Sequence, residues 1–371
     1  MDLFVYGTLQ SQGLMSAVAG HAARQGLPAR LHGYGVYPVK DNVVPFIAAQ
    51  VGAVAEGVVY EDVSAAEMAR LDLYEGAFGY RLVRTQVETD AGARAVSCYL
   101  PPDDVAAGCG NWSLSAWEAD HLAPAILAAT EIFSHDPLPG FAQLRAMWPM
   151  IEARAWSKHR ATAAPASRRF QPSPSDFEIK TAHSPQGRFF SFQSVEVTHR
   201  QFDGSMTNRL TREGFYGVDA AIVLPYDPAT DRVLLVEQAR VGPRLRHDPN
   251  PWMLEPVAGI VDAREAPSDA ALRECAEEAG LTIRSLEEAG SFYVSPGAST
   301  DYFYTYVGLC DLPDVNTYQG GLANEAEDLR LHPMAFEDAM ALADSGEIAT
   351  GPALFLLYWT LRHKECLRAL A

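Results

Sequence analysis

Glu274, Glu277 and Glu278 stand at i, i+3 and i+4 in the run Arg273-Glu274-Cys275-Ala276-Glu277-Glu278, so a helix there presents three carboxylates on one face. Like charges that close oppose a bare helix. Hard oxygen donors grouped in this way suit Mg²⁺ or Mn²⁺, which take carboxylates together with water and substrate phosphate. A solvated acidic face would account for the acids alone, but not for Gly259 ahead of them, Gly280 behind them and Arg273 among them. Gly259 allows a tight loop before the helix and Gly280 a left-handed cap after it. Glu265 is spaced to pair with Arg273 and pin that loop to the helix.

Composition narrows what such a site could serve. The chain has 371 residues, 29 basic against 47 acidic, a formal charge of −18, and 48% apolar residues. That length predicts two globular domains with real cores. The acidity excludes a general attraction for nucleic acid or anionic lipid, so a phosphate ligand would need a metal ion or local arginines. The five cysteines, Cys98, Cys109, Cys275, Cys310 and Cys366, are scattered without a CxxC pair, which suits free thiols in a reducing compartment. The opening MDLFVYGTLQ lacks a basic stretch followed by an apolar one, and no run approaches ~18 apolar residues. A cytoplasmic location is the expectation.

The elements that must position these residues can be read coarsely. Residues 3–9, 53–63 and 80–89 read as strands and Ser64–Leu73 as a helix. Ser115-Ala-Trp-Glu118 has the form of a capping box opening a helix to about Phe133. From Ala153 to Ser175 there are five basic residues, Arg154, Lys158, Arg160, Arg168 and Arg169, no acids, and Pro165, Pro172 and Pro174. This reads as a basic Pro/Ser/Ala-rich linker over 153–177, between domains at 1–152 and 178–371. Beyond it, 188–225 reads as successive strands with a hairpin turn at Asp203-Gly204. Strands follow at 220–226 and 232–238, a helix at Pro267–Ala279, strands in SFYVSPG and YFYTYVGL, and a long helix at Gly351–Leu370. No internal repeat is visible, so the halves are different domains.

The spacing Gly259-x5-Glu265-x7-Arg273-Glu274-Cys275-x-Glu277-Glu278-x-Gly280-Leu281 resembles the Nudix box throughout, except that Cys275 stands where that family usually has an aliphatic residue. Cys is a small hydrophobe and fits an inward position. Pro296, sixteen residues past Gly280, stands where the ADP-ribose pyrophosphatases of the superfamily carry a proline. The segments LTREGF, VEQAR and GLANEAEDLRLHP also resemble theirs, in the same order. The resemblance implies an α/β/α sandwich that hydrolyses ADP-ribose to AMP and ribose 5-phosphate with Mg²⁺ or Mn²⁺. It implies metal contacts from the Ala258 carbonyl, Glu274, Glu277 and Glu278, with Glu277 also catalytic. Adenine and phosphate contacts would come from Arg212, Glu213 and Arg240. The terminal-ribose contact would be Asp301, where the family usually has Glu. The catalytic base would be Glu325, with Glu327 as the other candidate. The strands around Asp203-Gly204 resemble the sheet through which these enzymes form homodimers. Another nucleoside diphosphate sugar as substrate remains open.

Tyr6-Gly7-Thr8-Leu9, Glu56-Gly57-x-Val59-Tyr60, Leu71-Asp72-x-Tyr74-Glu75-Gly76 and Tyr80-Arg81 resemble, in that order, the γ-glutamylcyclotransferase-like (AIG2-like) family over about residues 1–110. The resemblance implies that Tyr6, Gly7, Thr8 and Leu9 form a loop offering N–H groups to a substrate carboxylate, and that Glu75 moves the protons. Cyclising a γ-glutamyl amine needs a base to take a proton and an acid to return it to the leaving nitrogen, and one buried carboxyl can do both. The expected fold is thus an α+β two-domain protein, with an N-terminal γ-glutamylcyclotransferase-like mixed β-barrel with helices and a C-terminal Nudix α/β/α sandwich. Bacterial fusions of this kind are associated with tellurite resistance, which the resemblance implies as a role. A sensor that binds ADP-ribose and a γ-glutamyl ligand without reaction is the other class of reading. Among partners, the expectation is small molecules, with no nucleic acid and no membrane.

Overall fold

Leu3-Phe4-Val5 is apolar at every position and wholly enclosed as strand β1 (Leu3–Val5), as a strand covered on both faces must be. A 3₁₀ turn (Thr8–Gln10) and helix α1 (Gln12–Ala19) follow, then the long strands β2 (Leu27–Pro38) and β3 (Pro45–Tyr60), helix α2 (Ala65–Gly76), and strands β4 (Arg81–Thr89) and β5 (Gly92–Leu100). The five strands close a barrel in the order β1-β3-β2-β4-β5, with β5 parallel to β1 and the other pairs antiparallel. Helix α2 starts on a full capping box between Ser64 and Glu67. The computed structural model describes residues 1–21, 25–162, 169–322 and 327–370. They fall into two compact units, Met1–Arg212 and Glu213–Ala371.

Two helices complete the barrel unit. Helix α3 (Leu114–Ile132) is capped by Ser113, whose Oγ accepts the N–H of Ala116 at 3.4 Å. The start read at Ser115 is therefore two residues late, because a serine two positions upstream offers the same oxygen. The helix end expected on the left of the linker is the end of a full helix, α4 (Phe141–Ala161), which runs nine residues into the stretch read as linker. Arg154 and Lys158, read as part of a solvated basic segment, pair with Glu131 of α3 at 2.7 and 3.2 Å. Arg154 is 2% exposed and also donates to the Phe189 carbonyl at 2.9 Å. Removing one member of a buried pair leaves an uncompensated charge, so Arg154→Ala is expected to lower stability by about 3–5 kcal/mol, measured by urea unfolding. The unit ends in a three-stranded sheet of β6 (Phe177–Ala182), β7 (Ser191–His199) and β8 (Leu210–Tyr216). The turn at Asp203-Gly204 is present, with Gly204 at φ +91°, and the division between units falls inside β8.

The second unit is built on strands β9 (Asp219–Asp227) and β10 (Arg232–Ala239), the short helix α5 (Val241–Leu245), strands β11 (Trp252–Glu255) and β12 (Val257–Ile260), and helix α6 (Pro267–Ala279). Strands β13 (Ser285–Tyr293), β14 (Tyr302–Leu309), β15 (Tyr318–Gly320) and β16 (Leu329–Ala335) and helices α7 (Phe336–Ser345) and α8 (Gly351–Ala369) complete it. The sheet runs β13-β14-β9-β10-β16-β15, with β11 beside β10 and β12 beside β9. Period-two alternation divides its residues between two cores. Val223, Leu234, Val236 and Leu331 pack on Ala270, Ala271 and Cys275 of α6. Ile222, Leu224 and Leu235 pack on Phe336 of α7 and Leu356 and Leu357 of α8. Helices thus cover both faces, the expected sandwich. No helix among the described residues is long and apolar enough to cross a membrane.

Candidate active sites

Helix α6 begins with Pro267 at its first position and ends on Gly280 at φ +64°, an arrangement that Pro and Gly each favour. Its buried side carries Cys275, so Glu274 and Glu278 come to the margin of that face. There they meet β12. A Cβ added to Gly259 would fall on the Glu274 carboxylate, so only glycine lets the strand and the acid approach so closely. Gly259→Ala is expected to displace one or the other and to cost about 1–3 kcal/mol, measured by denaturant unfolding.

Arg273 fastens this corner, as its spacing from Glu265 predicted. It donates to Glu265 from Nε and from Nη2 at 2.9 Å each, to the Ile260 carbonyl at 3.1 Å, to Glu274 at 2.6 Å and to Glu277 at 3.0 Å. Five acceptors on one planar guanidinium fix the loop before α6 against the helix. Glu278 is placed differently. It is 3% exposed, and its carboxylate accepts an N–H of Ala258 at 3.3 Å. Burial pushes its pKa up to about 8, against the Ala258 hydrogen bond and with repulsion from Glu274 and Glu327 added. The Glu274 carboxyl is also raised, by burial first and by Glu277 and Glu327, with Arg273 opposing.

Among the described residues no three His, Cys, Asp or Glu side chains are grouped to hold a metal ion by themselves. The donor set does fit a divalent ion that keeps part of its water. Burial makes the Glu278 and Glu274 carboxyls resist ionisation even with Arg273 beside Glu274, so a divalent ion would stabilise their charged forms, and the backbone N–H of Ala258 reaches Glu278. Arg240 contributes a cation toward Glu278 while its Nε donates to Glu255 at 2.7 Å. The turn after β15 closes over the end of α6. Gly321 N–H and the Tyr318 hydroxyl donate to the carbonyls of Glu278 and Ala279 at 2.9 and 3.1 Å. Glu325 lies outside the described residues. Glu327 is described, and its carboxylate accepts the N–H of Leu322 at 3.2 Å.

Asp301 opens the way into β14, and Ser299 Oγ donates to it at 2.6 Å. A Cβ at Gly217 would fall on its carboxylate. Phe215 exchanges backbone bonds with Ala298 and Thr300 at 2.7 and 3.0 Å, which ties the end of β8 to the Ser295-Pro296-Gly297 turn. Glu213 and Arg212 are exposed on β8, the latter donating to the Thr211 carbonyl at 2.9 Å. Gly217 was not singled out from the sequence, although a glycine next to an aromatic strand end is the signal that could have found it.

In the barrel unit, Glu75 lies in the last turn of α2 with its carboxyl turned inward. Burial pushes it up to about 7. Its charge is felt by Tyr6, Tyr74, Tyr80, Cys98 and Tyr99, whose pKa values burial in the first place moves upward. The 6–10 loop is locked around it. Tyr6 Oη donates to the Tyr99 carbonyl at 3.2 Å, Gln10 Nε2 to the Tyr6 carbonyl at 2.8 Å, and Tyr60 Oη to the Leu9 carbonyl at 3.3 Å. Those bonds occupy carbonyls of the loop. The structure thus brings Tyr6, at the head of the predicted loop, within electrostatic reach of Glu75. Tyr80, five residues on and bonded through its N–H to the Glu75 carbonyl, and Cys98 and Tyr99, brought there by strand pairing across the barrel, are further neighbours of Glu75 that spacing did not single out as site residues.

Residues 216–350 match the NUDIX domain family and residues 3–118 the gamma-glutamyl cyclotransferase, AIG2-like family. The ADP-ribose pyrophosphatase of Escherichia coli (strain K12) is 35% identical over 193 residues, 52% of this chain and 91% of that protein. That of Haemophilus influenzae is 34% identical over 186 residues, covering 50% and 85%. A GDP-mannose pyrophosphatase of Enterobacter sp. (strain 638) is 29% identical over 151 residues, covering 41% and 78%. With the box residues seated on α6 and the barrel motifs gathered round Glu75, the chain belongs to the Nudix hydrolases by its second half and carries an AIG2-like gamma-glutamyl cyclotransferase domain in its first.

Proposed function

We propose that this chain hydrolyses the pyrophosphate bond of ADP-ribose, giving AMP and ribose 5-phosphate. The observation that carries this is the pair of carboxyls, buried Glu278 and part-buried Glu274, both pushed up in pKa and held against Gly259 of β12. The names of the relatives covered over most of their length support the substrate. A divalent ion, Mg²⁺ or Mn²⁺, would be held by Glu274, Glu278, the Ala258 carbonyl and, with rotation away from Arg273, Glu277. When bound, it would neutralise the pyrophosphate and acidify water.

The chain's own residues then have separate tasks. Water adds to one phosphorus as the bridging P–O bond breaks, and its proton passes to a carboxylate of the 325–327 stretch, with Glu325 assigned as base. Arg240, Arg212 and Glu213 bind the adenine and phosphates. Asp301 accepts from the terminal ribose, fixed by Ser299 and the bare face of Gly217. The barrel domain runs through α4 to Ala161, and the hydrolase domain is taken from residue 178 to 371. The aligned stretch in the E. coli protein is longer than all of 213–371, so it takes in strands ahead of β9. Those strands expose Phe177, Ile179 and Phe192, an apolar set that a homodimer would cover. Sedimentation velocity checks this.

The test is product analysis. With ADP-ribose and Mg²⁺ or Mn²⁺, AMP should appear in step with loss of substrate. GDP-mannose turned over faster than ADP-ribose would favour the second reading, another nucleoside diphosphate sugar, which the GDP-mannose pyrophosphatase relatives support. Binding of ADP-ribose without any AMP would make the half a sensor. For the barrel half the proposed activity is release of 5-oxoproline from γ-glutamyl amines, carried by the inward Glu75 carboxyl and the loop 6–9.

A further inference from the structure

The match to the AIG2-like family ends at residue 118, yet the chain continues through the rest of α3 and into α4, and α4 packs on the segment that carries Glu75. Leu144, Met147 and Ile151 are buried together with Leu73 and Ala77. A Cβ added to Gly76 would come 3.1 Å from the Phe141 ring. Trp148 meets Tyr74 and Phe78 edge-on, with ring centroids 6.4 and 5.0 Å apart. Arg145 Nε donates to the Ala77 carbonyl at 2.8 Å. At this end of α2 the carbonyls of Leu73, Glu75 and Gly76 are taken by N–H groups of Ala77, of Phe78 and Tyr80, and of Gly79. Arg145 takes the next carbonyl in line, and a cation there also suits the negative end of the helix dipole.

We infer that α4 is a positioning element for the Glu75 carboxyl and that Arg145 is its positioning residue, acting through the Ala77 carbonyl two positions along. A carboxyl that takes a proton and returns it must stay within about 2.6–3.2 Å of the reacting nitrogen. Loosening the 73–80 turn therefore lowers the rate. It leaves substrate binding largely alone, because the Tyr6–Leu9 loop is locked by Tyr99, Gln10 and Tyr60 rather than by α4. The catalytic consequence rests on the cyclotransferase reading; the positioning does not. Tyr6 from the end of β1, Tyr74 on α2, Tyr80 ahead of β4, and Cys98 and Tyr99 on β5 surround Glu75. Asp72 stands behind Tyr99, and Glu152 of α4 acts on Tyr74.

Full-length Arg145→Ala and Arg145→Lys test this, with far-UV circular dichroism and thermal melting of each variant against wild type as the check that the barrel unit is folded. In Arg145→Ala, kcat for 5-oxoproline release is expected to fall about tenfold or more, with KM within about twofold. The midpoint of its pH profile should move down as water reaches Glu75. Arg145→Lys, which keeps one donor and the charge, should recover most of both. Independently of turnover, ¹³C NMR of δ-labelled glutamate reads the Glu75 titration, its signal assigned by its loss in Glu75→Gln. A downward shift in Arg145→Ala upholds the positioning role. An unchanged titration overturns it, as does an unchanged kcat and pH profile or an equal loss in the Ala and Lys variants. Wild type that titrates as described but releases no 5-oxoproline would refute the cyclotransferase reading alone.

Discussion

Glu278→Gln is expected to lower AMP release from ADP-ribose by about a thousandfold, a loss on the scale of removing one principal charge-stabilising group from an active site. It should do so without unfolding the protein. Gln keeps the shape and an oxygen to accept the Ala258 N–H, and it removes a charge that the fold holds at 3% exposure. The sign of the stability effect follows from the direction of the shift. Glu278 titrates at about 8 in the folded chain against 4.5 for an ordinary glutamate. Between those values the folded state holds the proton and the unfolded state does not, so stability falls as pH rises from about 4.5 to 8 and stays low above. In EDTA at pH 8.5 the variant should therefore melt no lower than wild type. Added Mg²⁺ should raise the wild-type Tm, because a ligand that binds only the folded state stabilises it, and should do little for the variant. Full hydrolysis by Glu278→Gln, or equal Mg²⁺ stabilisation of both proteins, would remove the metal site from this corner. Melting curves with and without Mg²⁺ and a single AMP time course are sufficient.

Local rules and long-range pairing divide what could be read in advance. Helix α6 was read to its ends, since Pro267 and Gly280 mark the two termini by their own backbone preferences and Arg273 and Glu265 meet across a short loop. The cluster on that helix follows from spacing alone. The extent of helix α4 was missed because Pro149 interrupts its pattern and its last turn is basic, so a helical segment held by the Arg154–Glu131 pair looked like a solvated connector. Strand β16 carries Arg330, His332 and Pro333 and passes for a loop until its pairing with β10 is seen. Partners brought together across a sheet are harder still. Asp301 against Gly217, and Cys98 and Tyr99 near Glu75, are separated by tens of residues and share no period. Sequence spacing therefore revealed the residues that could bear charge or move protons, whereas the surroundings that set their acidity became visible only with the fold.

The barrel half gives the second large effect. Glu75→Gln is expected to abolish 5-oxoproline release, a fall of about 10²–10⁴-fold, because an amide cannot exchange the proton that cyclisation moves from the attacking amine to the leaving nitrogen. With burial holding the Glu75 carboxyl at about 7, the wild-type kcat/KM should rise with pH through that value as the base form accumulates. An ordinary glutamate would already have levelled off some three units lower. The same burial predicts the stability change. The folded-state value lies above the unfolded one, so the charged carboxyl opposes folding at neutral pH and is tolerated below it. Glu75→Gln should thus raise Tm at pH 8 and change it little at pH 5. The rate profile separates a proton-transfer residue from a packing one: a buried glutamate that merely filled space would give the same Tm pattern with a flat rate profile, and release that persists in the variant would show that another group moves the proton. Tyr6→Phe makes the complementary prediction. It loses the hydrogen bond to the Tyr99 carbonyl that fixes the 6–9 loop, so KM for the γ-glutamyl substrate should rise several-fold while the pH midpoint, which belongs to Glu75, stays in place.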